Sequence, residues 1–338
     1  MKRYFVPHAV AAASFALAAA FALALGPVRI PLADVAAALA HMSGFAAHAD
    51  AQALAVVGSL RLPRVLLAAM AGAVLGIAGA ILQGLFRNPL ADARVLGISG
   101  GASLGAVAAI FFGLGSLSPW AIFATGFGGG LTAAVLVSRL AQTQGRTPVV
   151  TLLLSGIAID AMAMSLTGIL VYASDDRQLR DISLWLMGSV GGATWERLAA
   201  LAPAALLLVA TAPFFARGLD ALMLGEREAG HLGFRVETLK LAAIGLVSLS
   251  IGAVVSSVGP IGFVGLVVPH LVRLAIGPGH RRLLPISALA GATLLVGADT
   301  FARLVVAPAE LPVGLVTAAI GAPFFAAMIV REKRRFAP

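Results

Sequence analysis

The residues that could do chemistry are few and scattered. Six histidines, at positions 8, 41, 48, 231, 270 and 280, form no HExxH string and no close pair, so their spacing builds no zinc-protease site. The only lysines are Lys2, Lys240 and Lys333, and none follows a glycine, which removes a P-loop and with it nucleotide hydrolysis by that route. Asp175-Asp176 is a lone acidic pair, whereas magnesium-dependent prenyl chemistry needs a second acidic motif. Cysteine is absent, so there are no disulfides, thiolate metal sites or thiol nucleophiles. Asp160 is the one acid deep inside an apolar stretch. An ionisable group within a membrane is a functional hypothesis by default; Ser155 and Thr151, at helical spacing, equally allow a hydrogen-bonded structural role. A proton-coupled carrier using Asp160 and Asp299 is one reading these acids leave open. The residues point to no catalysis, no bound metal and no cofactor held by this chain.

The elements that must position these groups are set by composition. The chain has 338 residues, 60% hydrophobic and 12% charged, with a mean hydropathy of +0.98. A soluble domain carries about 25% charged residues, so this chain has too few to cover a water-facing surface. Its solvent is lipid. Uncharged or nearly uncharged stretches cover 5–25, 65–86, 95–138, 147–174, 198–216, 241–272, 283–298 and 311–330. A crossing needs about 20 apolar residues. The stretch 95–138 breaks at 113–119 into two helices, and 241–272 breaks at Gly259-Pro260 into a full helix and a short piece. About ten crossings result, with both termini on one side. The first stretch follows Met1-Lys2-Arg3 and could be read as a cleaved signal peptide, but its length favours a retained helix.

Orientation follows from the basic residues. With the N-terminus inside, only Arg29, Arg61, Arg64, Arg177, Arg180, Arg197 and Arg303 of the 24 Lys and Arg fall outside, and Arg87 and Arg94 count as cytoplasmic. This obeys the positive-inside rule, so the net charge of +9 needs no nucleic acid as partner. A weak repeat also appears: Gly72, Ala73, Val74, Gly79, Ile81, Pro89 and Gly97 recur 180 residues later as Gly252, Ala253, Val254, Gly259, Ile261, Pro269 and Gly277. That offset spans five helices and so inverts the second copy, a transporter signature when Gly/Pro-interrupted segments accompany it. The interrupted segments are 85–101 and 259–279.

Several motifs occur in order. Arg61-Leu62-Pro63-Arg64 opens one helix, followed by Gln83-Gly84-Leu85-Phe86-Arg87-Asn88-Pro89-Leu90-Ala91-Asp92 and Leu96-Gly97-Ile98-Ser99-Gly100-Gly101. Leu224-Gly225-Glu226, His231-Leu232-Gly233 and Gly259-Pro260-Ile261-Gly262-Phe263-Val264-Gly265 come later, then Gly297-Ala298-Asp299, Arg303 and Glu310-Leu311-Pro312. From Arg61 to the end the chain resembles the FecCD family, the permeases of bacterial ABC importers for iron-siderophores, haem and cobalamin. The resemblance implies an all-α polytopic membrane protein of cobalamin-permease type, with an inverted internal repeat and residues 1–338 as a single permease domain. It implies a bacterial inner-membrane location with both termini cytoplasmic. It also implies a second copy of the chain, two cytoplasmic ABC ATPase subunits that hold ATP and magnesium, and a periplasmic binding protein.

The same resemblance assigns roles. Arg61, Arg64 and Arg303 would receive carboxylates of the binding protein, where rim charges steer encounter and fix register; snorkelling to lipid headgroups is the plainer alternative. The segment 216–234, with Asp220, Glu226, Arg227, Glu228 and His231, would be two short helices joined by a glycine turn that couple to the ATPase. Asn88, Pro89, Gly100, Gly101, Gly259, Pro260 and Pro269 would be hinge or packing positions. The stretch Asp175-Asp176-Arg177-Gln178-Leu179-Arg180-Asp181 resembles the haem branch, with haem as transported substrate. Arg177 and Arg180 would then stand near the path mouth for the propionates, unless they pair with Asp175, Asp176 or Asp181. A siderophore or cobalamin permease is the alternative within the same architecture. His8, His41 and His48 are only conceivable as haem ligands.

Overall fold

A computed structural model describes residues 2–118, 120–144 and 146–336; of the basic termini, the side chains of Lys2, Arg3, Arg331, Lys333, Arg334 and Arg335 lie outside that description. The first crossing is α1 (Lys2–Ala24), followed by a short helix α2 (Leu32–Met42). A rod of 35 residues comes next, in which α3 (Ala51–Leu54) passes through a π-helical stretch, Ala55–Arg61, into α4 (Leu62–Leu85). Then come α5 (Ile98–Phe111), α6 (Ala121–Ala141), α7 (Val149–Tyr172), α8 (Asp176–Leu186) and α9 (Trp195–Leu222). The chain ends with α10 (Glu226–His231), α11 (Val236–Val258), α12 (Val264–Ile276), α13 (His280–Val305) and α14 (Val313–Phe336). Among the described residues no strand forms beyond one isolated bridge, Thr143 with Arg146.

Seven of these helices are long and apolar enough to cross a membrane, and α5, α12 and α14 add shorter apolar segments. Together these helices occupy the ten stretches read from hydropathy, seven of them at spanning length. The stretches α2 and α3 were not among them: α2 is apolar but only 11 residues long, and 43–54 breaks the run with Ser43, Asp50 and Gln52.

Burial identifies the centre. The apolar window of the α3–α4 rod is 83% buried and that of α7 only 22%, so α4 is the axis of the protomer and α7 lies at its flank. Around α4 pack α9, α11, α12 and α13, while α5, α6 and α7 form a neighbouring group joined to it through α11. Lipid supplies no hydrophobic drive between helices, so contact depends on close backbone approach over small residues. Gly72 and Gly76 of α4 face the backbone of Gly291 and Ser287 on α13, and a Cβ at either would collide with a carbonyl.

The repeat holds for the order of elements but not for its seven residue matches. Long helix, irregular stretch, short helix and long helix recur as α4–α6 and α11–α13. Gly72-Ala73-Val74 and Gly252-Ala253-Val254 both lie within long helices, but Gly79 is inside α4 whereas Gly259 caps α11. Pro89 sits in a turn whereas Pro269 is buried within α12; Gly97 precedes α5 whereas Gly277 follows α12. The later coincidences come from Gly/Ala/Val-rich composition.

Candidate functional site

At one end of the bundle Arg61, Arg64 and Arg303 come together as the sequence proposed, but not as free rim charges. Their residues are 4%, 8% and 3% exposed. The cause is the end of α1, whose last carbonyls have no intrahelical donors. Arg61 donates to the carbonyls of Leu23 (2.6 Å), Ala24 (2.9 Å) and Val28, and Arg303 donates to that of Ala22 (3.1 Å). Two cations thus cap the negative end of a helix dipole. Arg64 donates from Nε and Nη2 to Asp299 at 2.8–3.1 Å and from Nη1 to Glu310 at 2.8 and 3.0 Å. Arg303 Nε lies 3.3 Å from the Asp299 carboxylate, one helical turn away, as an ion pair without hydrogen-bond geometry. All three arginines and Glu310, whose side chain is 38% exposed, line one cleft of about 350 Å³.

Beside this end runs α8. Asp175 caps it, accepting from Gln178 N–H at 2.8 Å, while the Gln178 side chain accepts from the Asp175 N–H. Arg177 and Arg180 are exposed on it, and no ion pair joins either to Asp175, Asp176 or Asp181 among the described residues. The local pairing that sequence allowed does not form.

Half-way down the bundle two short helices begin. α4 ends in a turn at Arg87-Asn88-Pro89, where Arg87 takes φ 49° and Asn88 Oδ1 accepts from Leu90 N–H at 2.9 Å. The chain then enters α5 through Gly97 at φ 68°. α11 breaks at Gly259 (φ 74°) and Pro260 and re-forms as α12 after Phe263 at φ 68°. Gly100 and Gly101 lie in the first turns of α5, where Gly101 meets Gly129 and Ala133 of α6. Two strings there spell G-x-S-x-G, Gly97-Ile98-Ser99-Gly100-Gly101 and Gly101-Ala102-Ser103-Leu104-Gly105. Both lie along this helix rather than on a strand-to-helix turn, so they are packing positions and not nucleophile elbows.

The Asp160 carboxylate of α7 lies against Gly100, the third residue of α5, so closely that a Cβ there would collide with its Oδ1. Asp160 thus places a carboxylate beside the first turn of a helix that starts inside the bundle and whose own N-cap, Gly97, has no side chain to offer. Neither Ser155 nor Thr151 bonds it among the described residues. Arg94, counted as cytoplasmic from sequence, instead reaches Gly262 in the α11–α12 break and lies close enough for its charge to act on Asp160. The linker fails the positive-inside count because 89–97 folds back into the bundle, where Ala91, Ala93 and Leu96 are buried.

At the opposite end the segment 216–234 takes one short helix, not two. α9 continues to Leu222, Gly225 at φ 129° breaks it, and α10 follows. Helix persists through Gly218 because Leu239 of α11 packs on it. Of the five candidate residues, two are bonded within the protomer although their side chains stay 44% and 41% exposed. Asp220 accepts from both the backbone N–H (2.9 Å) and Nδ1 (2.7 Å) of His280, capping α13. Glu226 pairs at 2.7 Å with Lys240, which is 3% exposed. Lys240 also pairs with Glu237 and donates to the Thr147 carbonyl, each at 3.3 Å, and Glu237 accepts from Thr147 N–H at 3.0 Å. This ladder ties α10 to the start of α7; sequence gave no sign of it, since Lys240 reads as one more cytoplasmic base. Arg227, Glu228 and His231 remain exposed, flanked by Leu224 and Leu232 at 67% and 61%.

No group of three or more His, Cys, Asp or Glu that could hold a metal occurs among the described residues. The arrangement can bind, brace and transmit force.

Comparison with known proteins agrees with that. The model of the FecCD transport family matches residues 14–331. The hemin transport system permease HmuU of Yersinia pestis is 46% identical over 82% of this chain and 84% of its own. The cobalamin import permease BtuC of Halobacterium salinarum is also 46% identical, over 80% of this chain and 72% of its own. The Fe(3+) dicitrate permease FecD of Escherichia coli is 41% identical over 82% and 86%. A solved inward-facing metal-chelate-type ABC transporter superposes with a TM-score of 0.85 at 31% identity, covering 96% of this chain and 98% of that one. The chain is thus a multi-pass ABC importer permease whose ATP is hydrolysed on a separate subunit, and it belongs to the FecCD transport family.

Proposed function

We propose that this permease moves haem from the periplasm to the cytoplasm across the bacterial inner membrane by alternating access. It works as a homodimer with both termini cytoplasmic, on two ATPase subunits that carry ATP and magnesium. The chain itself holds no cofactor. The exposed tip of α10, with Arg227, Glu228 and His231 between Leu224 and Leu232, docks on the ATPase. A periplasmic binding protein sits over the arginine cleft, where its carboxylates exchange with Glu310 as partners of Arg64.

The observation that carries the substrate is α8. Its guanidiniums at Arg177 and Arg180 are exposed and unspent on the neighbouring aspartates, so they are available to the two propionates of a haem by charge-assisted hydrogen bonds. Similarity to a hemin permease supports the same reading. The equal identity to a cobalamin permease favours a corrinoid as the second reading. ATP-driven uptake into proteoliposomes holding the permease, its ATPase and its binding protein decides between them. Haemin should accumulate, and Arg180→Ala should reduce it several-fold; uptake of cobalamin without haemin would replace haem by the corrinoid.

A further inference from the structure

A cavity of about 240 Å³ lies where α5 begins, lined by Arg94, Ser99, Ser103, Asp160, Thr167 and Pro260 among others. Its depth follows from α7. Asp160 is eleven residues from Val149 and twelve from Tyr172, about 16 and 18 Å at 1.5 Å per residue. The cavity is therefore at mid-membrane.

Three features set it apart from a packing void. Arg94 is exposed there and makes no direct ion pair among the described residues. An arginine at that depth cannot face hydrocarbon, so this surface faces water, a partner protomer or cargo. Thr167, 8% exposed, is one of the lining residues, and its buried Oγ1 has no hydrogen-bond partner; a buried hydroxyl is rarely left so. Lastly, the first turn of α5 directs the positive end of a 14-residue helix at the same space. Cation, open hydroxyl and helix N-terminus all suit an anion. Asp160 is the counterweight: its negative charge beside Arg94 keeps the site from becoming a deep trap.

We propose that this cavity is a mid-membrane station for a carboxylate of the transported molecule, with Arg94 as its donor and Thr167 Oγ1 as an accessory donor. The proposal rests on the transport reading above and narrows it to carboxylate-bearing chelates, because an amide-rimmed corrinoid has no anion to present.

The test compares wild type with Arg94→Gln in proteoliposomes containing the complete importer, using haemin and haemin dimethyl ester as probes. ATPase stimulation by the binding protein is monitored to show that assembly is intact. Haemin uptake should fall about tenfold in Arg94→Gln, ester uptake should be the same in both proteins, and Arg94→Lys should recover part of the loss. Haemin uptake within twofold of wild type, or equal loss with both probes, overturns the proposal. If Arg94→Gln does not assemble, Thr167→Val carries the same comparison with a smaller expected loss. If wild type moves no haemin, the haem reading falls separately. Ferric dicitrate then replaces haemin: a loss in Arg94→Gln upholds the station, and undiminished uptake overturns it. Cobalamin transported equally by both proteins also overturns it.

Discussion

Replacing Asp299 by Asn tests the buried charge cluster most directly. Asp299 is 2% exposed and lies between two guanidiniums, accepting from Arg64 at 2.8–3.1 Å and lying 3.3 Å from Arg303. The amide keeps the volume and one acceptor but removes the charge. Arg64 retains Glu310, whereas Arg303 is left with the Thr300 hydroxyl, carbonyls near the end of α1 and the charge of Glu310 acting without a direct contact. Breaking a buried pair by removing one partner costs about 3–5 kcal/mol, because an uncompensated charge stays behind. At roughly 2 °C per kcal/mol for a chain of this size, the midpoint of thermal unfolding in detergent should drop by roughly 6–10 °C. Glu310→Gln, at a half-exposed position, should shift it by less than about 2 °C, as expected of a screened rim pair. A drop of under 2 °C in Asp299→Asn would refute the claim that these arginines are structural before they are anything else.

Two other outcomes follow from the structure. Lys240→Met should lower stability by only about 1–2 kcal/mol, because its two carboxylate partners are 41% and 32% exposed and screened. It should still uncouple ATP hydrolysis from uptake; a transport-to-ATPase ratio equal to wild type, or strict additivity with Glu226→Gln in a double-mutant cycle, would argue against the ladder. Arg61→Gln strips donors from the end of α1, where each stranded carbonyl costs about 1–3 kcal/mol. Hydrogen exchange should accelerate at residues 20–31 while α4 stays protected, and uniform exchange across both would contradict the capping role.

Hydropathy made the crossings legible because each is a local property of about 20 residues, and the Gly/Pro-interrupted segments 85–101 and 259–279 marked the breaks. Side-chain partners were not legible. Arg61 and Arg303 read as rim charges because the carbonyls they cap, near residues 22–28, are distant in sequence and carry no signature. Arg94 was assigned to the wrong compartment for a related reason: charge counting assumes that a linker stays where its helix leaves it. Asp160 was the informative failure. The serine and threonine at helical spacing were the obvious partners, yet the carboxylate packs on Gly100 of another helix, and no sequence pattern within α7 encodes that.

The grip of Arg61 and Arg303 on α1 has a mechanical corollary. Pulling that first helix loose would expose carbonyls and strand two guanidiniums together, a penalty far above thermal energy. Helices 1, 4 and 13 are thus pinned together like the ribs of a fan at the end that carries Arg61 and Arg303, so any spreading that accompanies passage of cargo must leave that end closed.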